Sequence, residues 1–316
     1  MTLFNRTACS VLALGLTTGA ALADAHAECG TVTFSDVGWT DITATTAATS
    51  VVLEALGYET ETLVLSVPVT YTSLASGDVD IFLGNWMPTM EADIAPYRDA
   101  GTVDTVRANL EGAKYTLATN AAGAALGIGD FADIAAFADE LDGDIYGIEP
   151  GNDGNRLIMD MIGADAFGLG AAEFEVVESS EQGMLAQVAR ASDRDEPIIF
   201  LGWEPHPMNA NFELTYLTGG DDWFGPDLGG ATVYTNTSAG YAEACPNVGA
   251  LLANLEFTLA MENEIMGAIL NDGEDPEDAA MAWLSANTDV VMGWLDGVTT
   301  IDGGDAAAAV AAALDM

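Results

Sequence analysis

The sequence predicts an α/β fold built as two lobes, and three observations lead to that class. Apolar runs of strand length alternate with segments of helical periodicity along almost the whole chain, which is typical of α/β folds. A unit of strand, glycine, tryptophan and proline occurs at residues 80–88 and again at 198–205, which indicates two similar lobes. Half of the 316 residues are apolar, enough to form two cores.

The first third of the chain predicts three strands and two helices. The strands are expected at residues 31–35, 61–66 and 79–83. A helix lies between the first two, because Ala47, Val51 and Ala55 fall on one face of it, and Gly57 ends it. A shorter helix is expected at 70–76. The third strand is apolar apart from Asp80, which favours a parallel sheet covered on both faces.

The rest of the chain repeats this alternation and then becomes helical. Strands are expected at 144–148, 174–177 and 197–201, and helices at 155–162 and 182–191. From Val248 onward the pattern is mostly helical, with the clearest helices at 254–270 and 275–295.

The N-terminal residues predict a signal peptide at 1–23. Arg6 precedes an apolar run at 11–23, and small residues that suit cleavage end at Ala23 and again at Ala27. Cleavage after either alanine stays open. Because the run is too short to span a bilayer, we expect a mature protein that is free in the periplasm.

The cysteines bear on how the lobes are connected. Cys9 leaves with the signal peptide, so Cys29 and Cys245 remain. An even pair in an oxidising compartment favours one disulfide, and two separate buried thiols are the alternative. A disulfide would place both chain ends in one lobe. We therefore expect lobe one at 24–115 and 216–316 and lobe two at 116–215, with strands crossing near Tyr115 and near 212–217.

The net charge and the motif content exclude several classes of function. With 7 basic and 50 acidic residues the net charge is −43, which disfavours nucleic acids and anionic membranes as partners. Solubility in a salty habitat is the simplest reason for this charge. No Gly-x-Ser-x-Gly, His-Glu-x-x-His or Cys-x-x-Cys motif is present. The sequence therefore predicts no enzyme, no cofactor and no metal site.

Three tryptophans follow predicted strands at their carboxyl ends, where ligands bind in open α/β sheets. They are Trp39, Trp86 and Trp203. Core packing would explain any one of them, but three at equivalent positions favour an aromatic cleft. Ring faces suit a quaternary ammonium group, which has no N–H to donate. The other three are interpreted as packing residues: Trp223, Trp283 and Trp294.

Two polar features accompany these rings, and each has two interpretations. Asp41 lies where the first helix begins, so it would serve as an N-cap, as a partner of a cationic ligand, or as both. The glycine-rich segment 149–156 precedes a helix. It would offer backbone N–H groups and an asparagine to a polar ligand end, or form a plain turn and cap.

Taken together, these motifs resemble the periplasmic choline- and glycine-betaine-binding proteins of ABC importers. The resemblance covers essentially the whole mature chain. It is closest to the choline branch and rests on segments 38–41, 84–88, 114–115, 149–155 and 202–209. It implies a type II periplasmic binding-protein fold with two lobes joined by a two-strand hinge. It also implies a disulfide that Cys29 and Cys245 would match, and a membrane permease as partner.

The resemblance further implies the ligand site. An aromatic box around the trimethylammonium head would consist of Trp39, Trp86, Tyr115 and Trp203. Asp41 and Asn152 would address the hydroxyl end of choline. Glycine betaine and trimethylamine oxide are alternative ligands, and hydrolysis of choline esters is the distant alternative function. The expected protein is a monomer that delivers choline to its transporter.

Overall fold

Nine strands lie within residues 29–315, the part of the chain that the computed structural model describes. They are β1 (Thr31–Asp36), β2 (Glu59–Val64), β3 (Ile81–Met87), β4 (Val103–Asn120), β5 (Asp144–Tyr146), β6 (Glu175–Val177), β7 (Ile199–Glu204), β8 (Leu214–Tyr216) and β9 (Gly230–Ser238). The predicted signal peptide and both of its cleavage sites lie outside the described residues.

Helices cover the sheet over the same range. They are α1 (Thr40–Ala55), α2 (Val67–Ser76), α3 (Glu91–Ala100), α4 (Ala121–Leu126), α5 (Asp153–Gly163), α6 (Glu181–Asp193), α7 (Met208–Asn211), α8 (Asp221–Phe224), α9 (Pro226–Gly229), α10 (Tyr241–Ala244), α11 (Pro246–Asn254), α12 (Leu259–Gly267), α13 (Pro276–Ala286), α14 (Thr288–Trp294) and α15 (Ala306–Ala313). Two 3-10 helices (Phe131–Phe137 and Ala166–Gly168) and one π-helical turn (Ala268–Asp272) complete the set in this range. None of the helices between residues 29 and 315 is long and apolar enough to cross a membrane.

The strands form one curled mixed sheet in the order β2-β1-β3-β9-β4-β7-β5-β6, with β8 paired to β4. On one side of β4, strands β1, β2 and β3 are parallel, and on the other side β5, β6 and β7 are parallel. The α/β class is therefore confirmed. The expected parallel pairing is present within each half of the sheet. It does not extend through the whole sheet, since β9 and β4 run antiparallel to their neighbours. An apolar run shows that a strand is buried, but it does not show the direction of its neighbour.

The long strand β4 joins the two halves of the sheet. Its first part pairs with β9, and from Lys114 onward it pairs with β7. Strand β8 pairs with the end of β4, whereas β9 begins at Gly230 and pairs with its first part. The chain therefore crosses back from the second half of the sheet to the first between Tyr216 and Gly230. The lobe boundaries at 115/116 and 215/216 stay a prediction.

Some element bounds differ from those that the periodicity predicts. The helix expected at 254–270 begins later, because α11 ends at Asn254 and the Thr258 side chain caps α12 by accepting from the backbone N–H of Met261. The helix expected at 275–295 is broken at Asn287 into α13 and α14. Strand β2 begins and ends two residues earlier than expected.

A disulfide joins Cys29, just before β1, to Cys245, which follows α10. Both cysteines are buried. The bond closes a loop with a sequence separation of 216, and it holds the beginning of the described chain against its C-terminal helices.

Candidate functional site

A cavity lies between the two halves of the sheet and is closed by aromatic rings. Its lining residues are Trp39, Asp41, Trp86, Tyr115, Ile148, Asn152, Asp153 and Trp203. All six residues that the sequence singled out for ligand binding are among them. Ile148 and Asp153 are additional. Asp153 lies inside the glycine-rich segment on which the resemblance rests, so the sequence could have identified it as a site residue from its position.

The turn between β1 and α1 places Trp39 and Asp41. Gly38 adopts a φ of +83° there, a conformation that favours glycine. The carboxylate of Asp36 accepts from the Gly38 backbone N–H at 2.6 Å and from the Thr43 hydroxyl at 2.6 Å, which fixes the turn. Trp39 then occupies the N-cap position of α1.

Asp41 lies in the first turn of α1 and does not cap it, so the N-cap interpretation is wrong. Its Oδ2 instead accepts the indole N–H of Trp86 at 3.1 Å. Its Oδ1 is buried and has no hydrogen-bond partner among the protein groups described. The carboxylate therefore orients one indole and leaves one oxygen free at the cavity.

Two further rings belong to strands and not to the loops that follow them. Strand β3 continues past Gly84, and Trp86 pairs with Val233 of β9. In β7, Trp203 lies opposite Tyr115 of β4. The Tyr115 ring stands edge-on to both indoles, with centroid distances of 6.1 Å to Trp86 and 6.3 Å to Trp203. Sheet pairing thus fixes three walls of the box.

The N-terminus of α5 forms the opposite wall. Asn152 caps this helix, because its Oδ1 accepts from the Asn155 backbone N–H at 3.1 Å. The same Oδ1 accepts from the Tyr115 hydroxyl at 3.0 Å. A Cβ on Gly154 would collide with that hydroxyl, so glycine is required where helix and ring meet. The capping role of Asn152 is present, and its predicted contact with a ligand stays a prediction.

Burial shifts the ionisation of the acids around the cavity. Burial first, and then the charge of Glu181, raise the pKa of Asp41 to about 8. Burial also raises the pKa of Asp153 to about 6, although a hydrogen bond from Thr89 opposes the shift. It raises the pKa of Glu149 to about 7, against a hydrogen bond from Trp39. Asp153 likewise keeps an oxygen, Oδ2, with no partner among the described protein groups. The cavity therefore favours a positive charge.

The basic side chains near the site form ion pairs with acidic residues outside the cavity lining. Arg156 follows the glycine-rich segment, but its guanidinium donates to Asp93 at 2.6 Å and to the Thr89 carbonyl at 3.3 Å. Lys114 is paired with Glu204 at 3.1 Å. Neither side chain lines the cavity. Within residues 29–315, the cavity lining therefore offers no cationic group to an anionic ligand.

The remaining tryptophans lie away from the cavity. Trp283 donates its indole N–H to Glu264 at 2.6 Å. Trp294 is buried against Phe257, with ring centroids 5.7 Å apart. Neither these nor Trp223 contributes to the lining, in agreement with their interpretation as packing residues. No group of three or more metal-ligating side chains occurs in the described part of the chain.

Comparison with known proteins places the chain in a family of transport receptors. It belongs to the family of substrate-binding domains of ABC-type glycine betaine transport systems, whose model matches residues 30–286. Such domains have the two-lobe type II fold, so the fold expected from the resemblance is confirmed.

Two solved structures and one curated protein illustrate the relationship. An ABC-transporter choline-binding protein in complex with choline is 72% identical, over 91% of this chain and 99% of that one, with a TM-score of 0.90. An unliganded semi-closed form of such a protein is also 72% identical, over 92% of this chain and 100% of that one, with a TM-score of 0.84. An uncharacterised protein, ORF1, of Chromohalobacter salexigens is 52% identical over 41% of this chain and 84% of its own length. This chain has a higher TM-score with the choline complex than with the unliganded semi-closed form. In its own structure the two halves of the sheet are closed over the cavity, where the Trp39 indole N–H donates to Glu149 at 3.0 Å.

Proposed function

We propose that this protein is the choline receptor of an ABC importer and that it delivers choline to a membrane permease. The observation that carries the proposal is the cavity itself. Four aromatic rings enclose it, and none of its lining residues is basic. Two acids in its wall each keep one carboxylate oxygen that has no partner among residues 29–315. The 72% identity to a choline-binding protein in complex with choline supports the same ligand.

The aromatic box would supply most of the binding energy. Each desolvated cation–π contact contributes up to ~2 kcal/mol, so three or four contacts would contribute roughly 6–8 kcal/mol. Micromolar binding requires about 8 kcal/mol. The indole N–H groups of Trp39 and Trp86 donate to Glu149 and Asp41. These bonds hold two rings in place and put negative charge behind them.

Glycine betaine is the second candidate, because the family is described by that ligand. It carries the same trimethylammonium head as choline and differs by a carboxylate at the other end. Two like charges ~5 Å apart at an effective dielectric constant near 20 repel by roughly 3 kcal/mol, about a hundredfold in affinity. Asp153, whose pKa is about 6, would impose such a penalty near neutral pH. Asp41, with a pKa of about 8, would do so once the trimethylammonium head stabilises its ionised form, and Arg156 is engaged by Asp93. Choline, with a neutral hydroxyl, fits the same wall.

The proposed place of action is the periplasm, and the proposed activity is binding without catalysis. The signal-peptide pattern at 1–23 and the Cys29–Cys245 disulfide support an oxidising compartment. Within residues 29–315 the cavity lining contains no serine, cysteine or histidine that would attack an ester. Incubation with acetylcholine should therefore release no acid, and steady acid release would favour the hydrolase.

Calorimetry with paired ligands tests the proposal. The wild type should bind choline clearly more tightly than glycine betaine. Asp41→Asn should weaken choline binding by about tenfold or more and narrow or reverse the preference. Asp302→Asn is the matched control, because it removes the same charge at an exposed position. Equal or tighter betaine binding by the wild type would overturn the choline assignment.

A further inference from the structure

A buried carboxylate outside the aromatic box joins the two halves of the protein. Glu181, the first residue of α6, accepts from the Thr40 backbone N–H at 2.8 Å and from the Thr40 hydroxyl at 2.5 Å. Thr40 is the first residue of α1 and lies between two residues of the cavity lining, Trp39 and Asp41. Glu181 is 1% exposed. The contact therefore crosses the cleft and excludes water.

The contact satisfies a helix end that has no cap of its own. Trp39 occupies the N-cap position of α1 without a side-chain capping bond, which leaves backbone N–H donors at that terminus. An acidic group is stabilised there by hydrogen bonds and by the positive end of the helix dipole. In this protein the acid comes from the other half of the sheet, so α1 is fully capped only when the cleft is closed.

His206 orients the Glu181 carboxylate. The Met208 backbone N–H donates to Nδ1 of His206 at 2.9 Å, so Nδ1 is an acceptor and Nε2 carries the proton. Nε2 therefore donates to Oε1 of Glu181 at 3.2 Å. The imidazole also lies against the Trp203 indole, with ring centroids 4.8 Å apart. Through His206, the cross-cleft contact is tied to one wall of the box.

We propose that Glu181 is a positioning residue that latches the cleft shut over the ligand. It acts through Thr40 and His206, does not line the cavity and contributes to affinity by stabilising the closed arrangement. This inference rests on the proposed function, since it concerns closure around the same ligand. A second cross-cleft pair, Arg156 with Asp93, is more exposed, with 32% and 14% of the side chains accessible. Solvent weakens that pair, so Glu181 is the stronger of these two charged contacts.

Stopped-flow binding of choline to the wild type and to Glu181→Gln tests the latch. Glutamine keeps the size of the side chain but removes its charge, and charge-assisted hydrogen bonds are about twice as strong as neutral ones. The variant should release choline about tenfold to hundredfold faster, with little change in the association rate. Glu140→Gln, an exposed position in the same half of the chain, should match the wild type.

Two further measurements separate a latch from a general loss of structure. Thr40→Val should speed release as well, and the double variant with Glu181→Gln should be no worse than the stronger single one, because both remove the same contact. Measured at about pH 9, above the pKa of Asp41, the ratio of choline to glycine betaine affinity should not change, since the latch does not touch the ligand. An altered ratio would mean that the box itself is distorted and would overturn the proposal.

The outcomes for the latch and for the ligand assignment are distinguishable. Wild-type protein that fails to prefer choline would refute the proposed function. Wild-type protein that prefers choline, with an unchanged dissociation rate in Glu181→Gln, would refute the latch alone. If Glu181→Gln fails to fold, Thr40→Val, which keeps the backbone N–H that donates to Glu181, gives the same reading: unchanged release overturns the latch.

Discussion

Lowering the pH should close the cleft even when no ligand is present. Asp41 is 1% exposed in the closed arrangement, and burial, followed by the charge of Glu181, raises its pKa from 3.8 to about 8. In an open cleft water would reach this carboxyl group, and its pKa would fall toward the ordinary value. Between these two values Asp41 takes up a proton when the cleft closes. Acid therefore favours closure, and this contribution disappears above pH 8.

The size of the effect follows from the pKa difference. Each pH unit below the closed-state pKa changes the ratio of closed to open protein by up to tenfold, or about 1.4 kcal/mol. Between pH 7 and pH 5 the ratio should rise about 90-fold from Asp41 alone. Glu149 and Asp153, with pKa values raised to about 7 and about 6, act in the same direction. A bound quaternary cation would remove the effect, because it stabilises the ionised carboxylates directly.

Small-angle scattering between pH 5 and pH 9 measures this closure. The radius of gyration of ligand-free wild type should fall as the pH is lowered, and that of choline-saturated protein should stay small throughout. Asp41→Asn should be more compact than the wild type at pH 7 and respond less to pH. Near-ultraviolet circular dichroism checks that the protein remains folded at pH 5. A radius that is constant, or that grows in acid while the fold persists, would refute the reasoning.

Two further predictions concern the box and the disulfide. Trp86→Ala should weaken choline binding about tenfold or more, since a desolvated cation–π contact contributes up to ~2 kcal/mol. Trp283→Ala is the control and should lower the melting temperature but leave the affinity nearly intact. If calorimetry shows that Trp283→Ala loses binding and Trp86→Ala does not, the binding cleft is misplaced. Mature protein should show no free thiol by alkylation and mass measurement until it is reduced. Two labelled thiols before reduction would contradict the bond. Cys245→Ser should lower the free energy of unfolding by about 2–5 kcal/mol. It should not change the affinity for choline, because neither Cys29 nor Cys245 lines the cavity.

Local pattern was sufficient to predict the α/β class, the three strand-end tryptophans and Asp41, whereas Tyr115 and Asn152 came from the resemblance. The tryptophans at strand ends were visible because strand periodicity and turn residues are local features. The box then followed from the resemblance of several short segments taken together. The structure brings all six candidates to one cavity, which no single segment could show.

Long-range features were not available from the sequence. The direction of β9 depends on which strands it pairs with, and its partners β3 and β4 are distant in sequence. An apolar run does not show which strands will pair. Asp41 looked like a helix cap because it lies near a helix start, but the cap position belongs to Trp39. Glu181 precedes the helix expected at 182–191, and its partner Thr40 is 141 residues away. Only the fold reveals that this acid faces another helix.

The acids of the cleft therefore divide into two kinds with separate consequences. Glu181 is compensated by protein donors, namely the N–H and hydroxyl of Thr40 and the imidazole of His206. Asp41 and Asp153 each keep an oxygen that no group in the described part of the chain satisfies. The first kind stabilises closure with any ligand, whereas the second opposes closure unless a cation is enclosed. Changes at Glu181 should therefore alter residence time, and they should leave ligand ranking unchanged above the pKa of Asp41, where the charge of Glu181 no longer affects its ionisation. Changes at Asp41 should alter the ranking, so above that pKa the two properties can be varied independently.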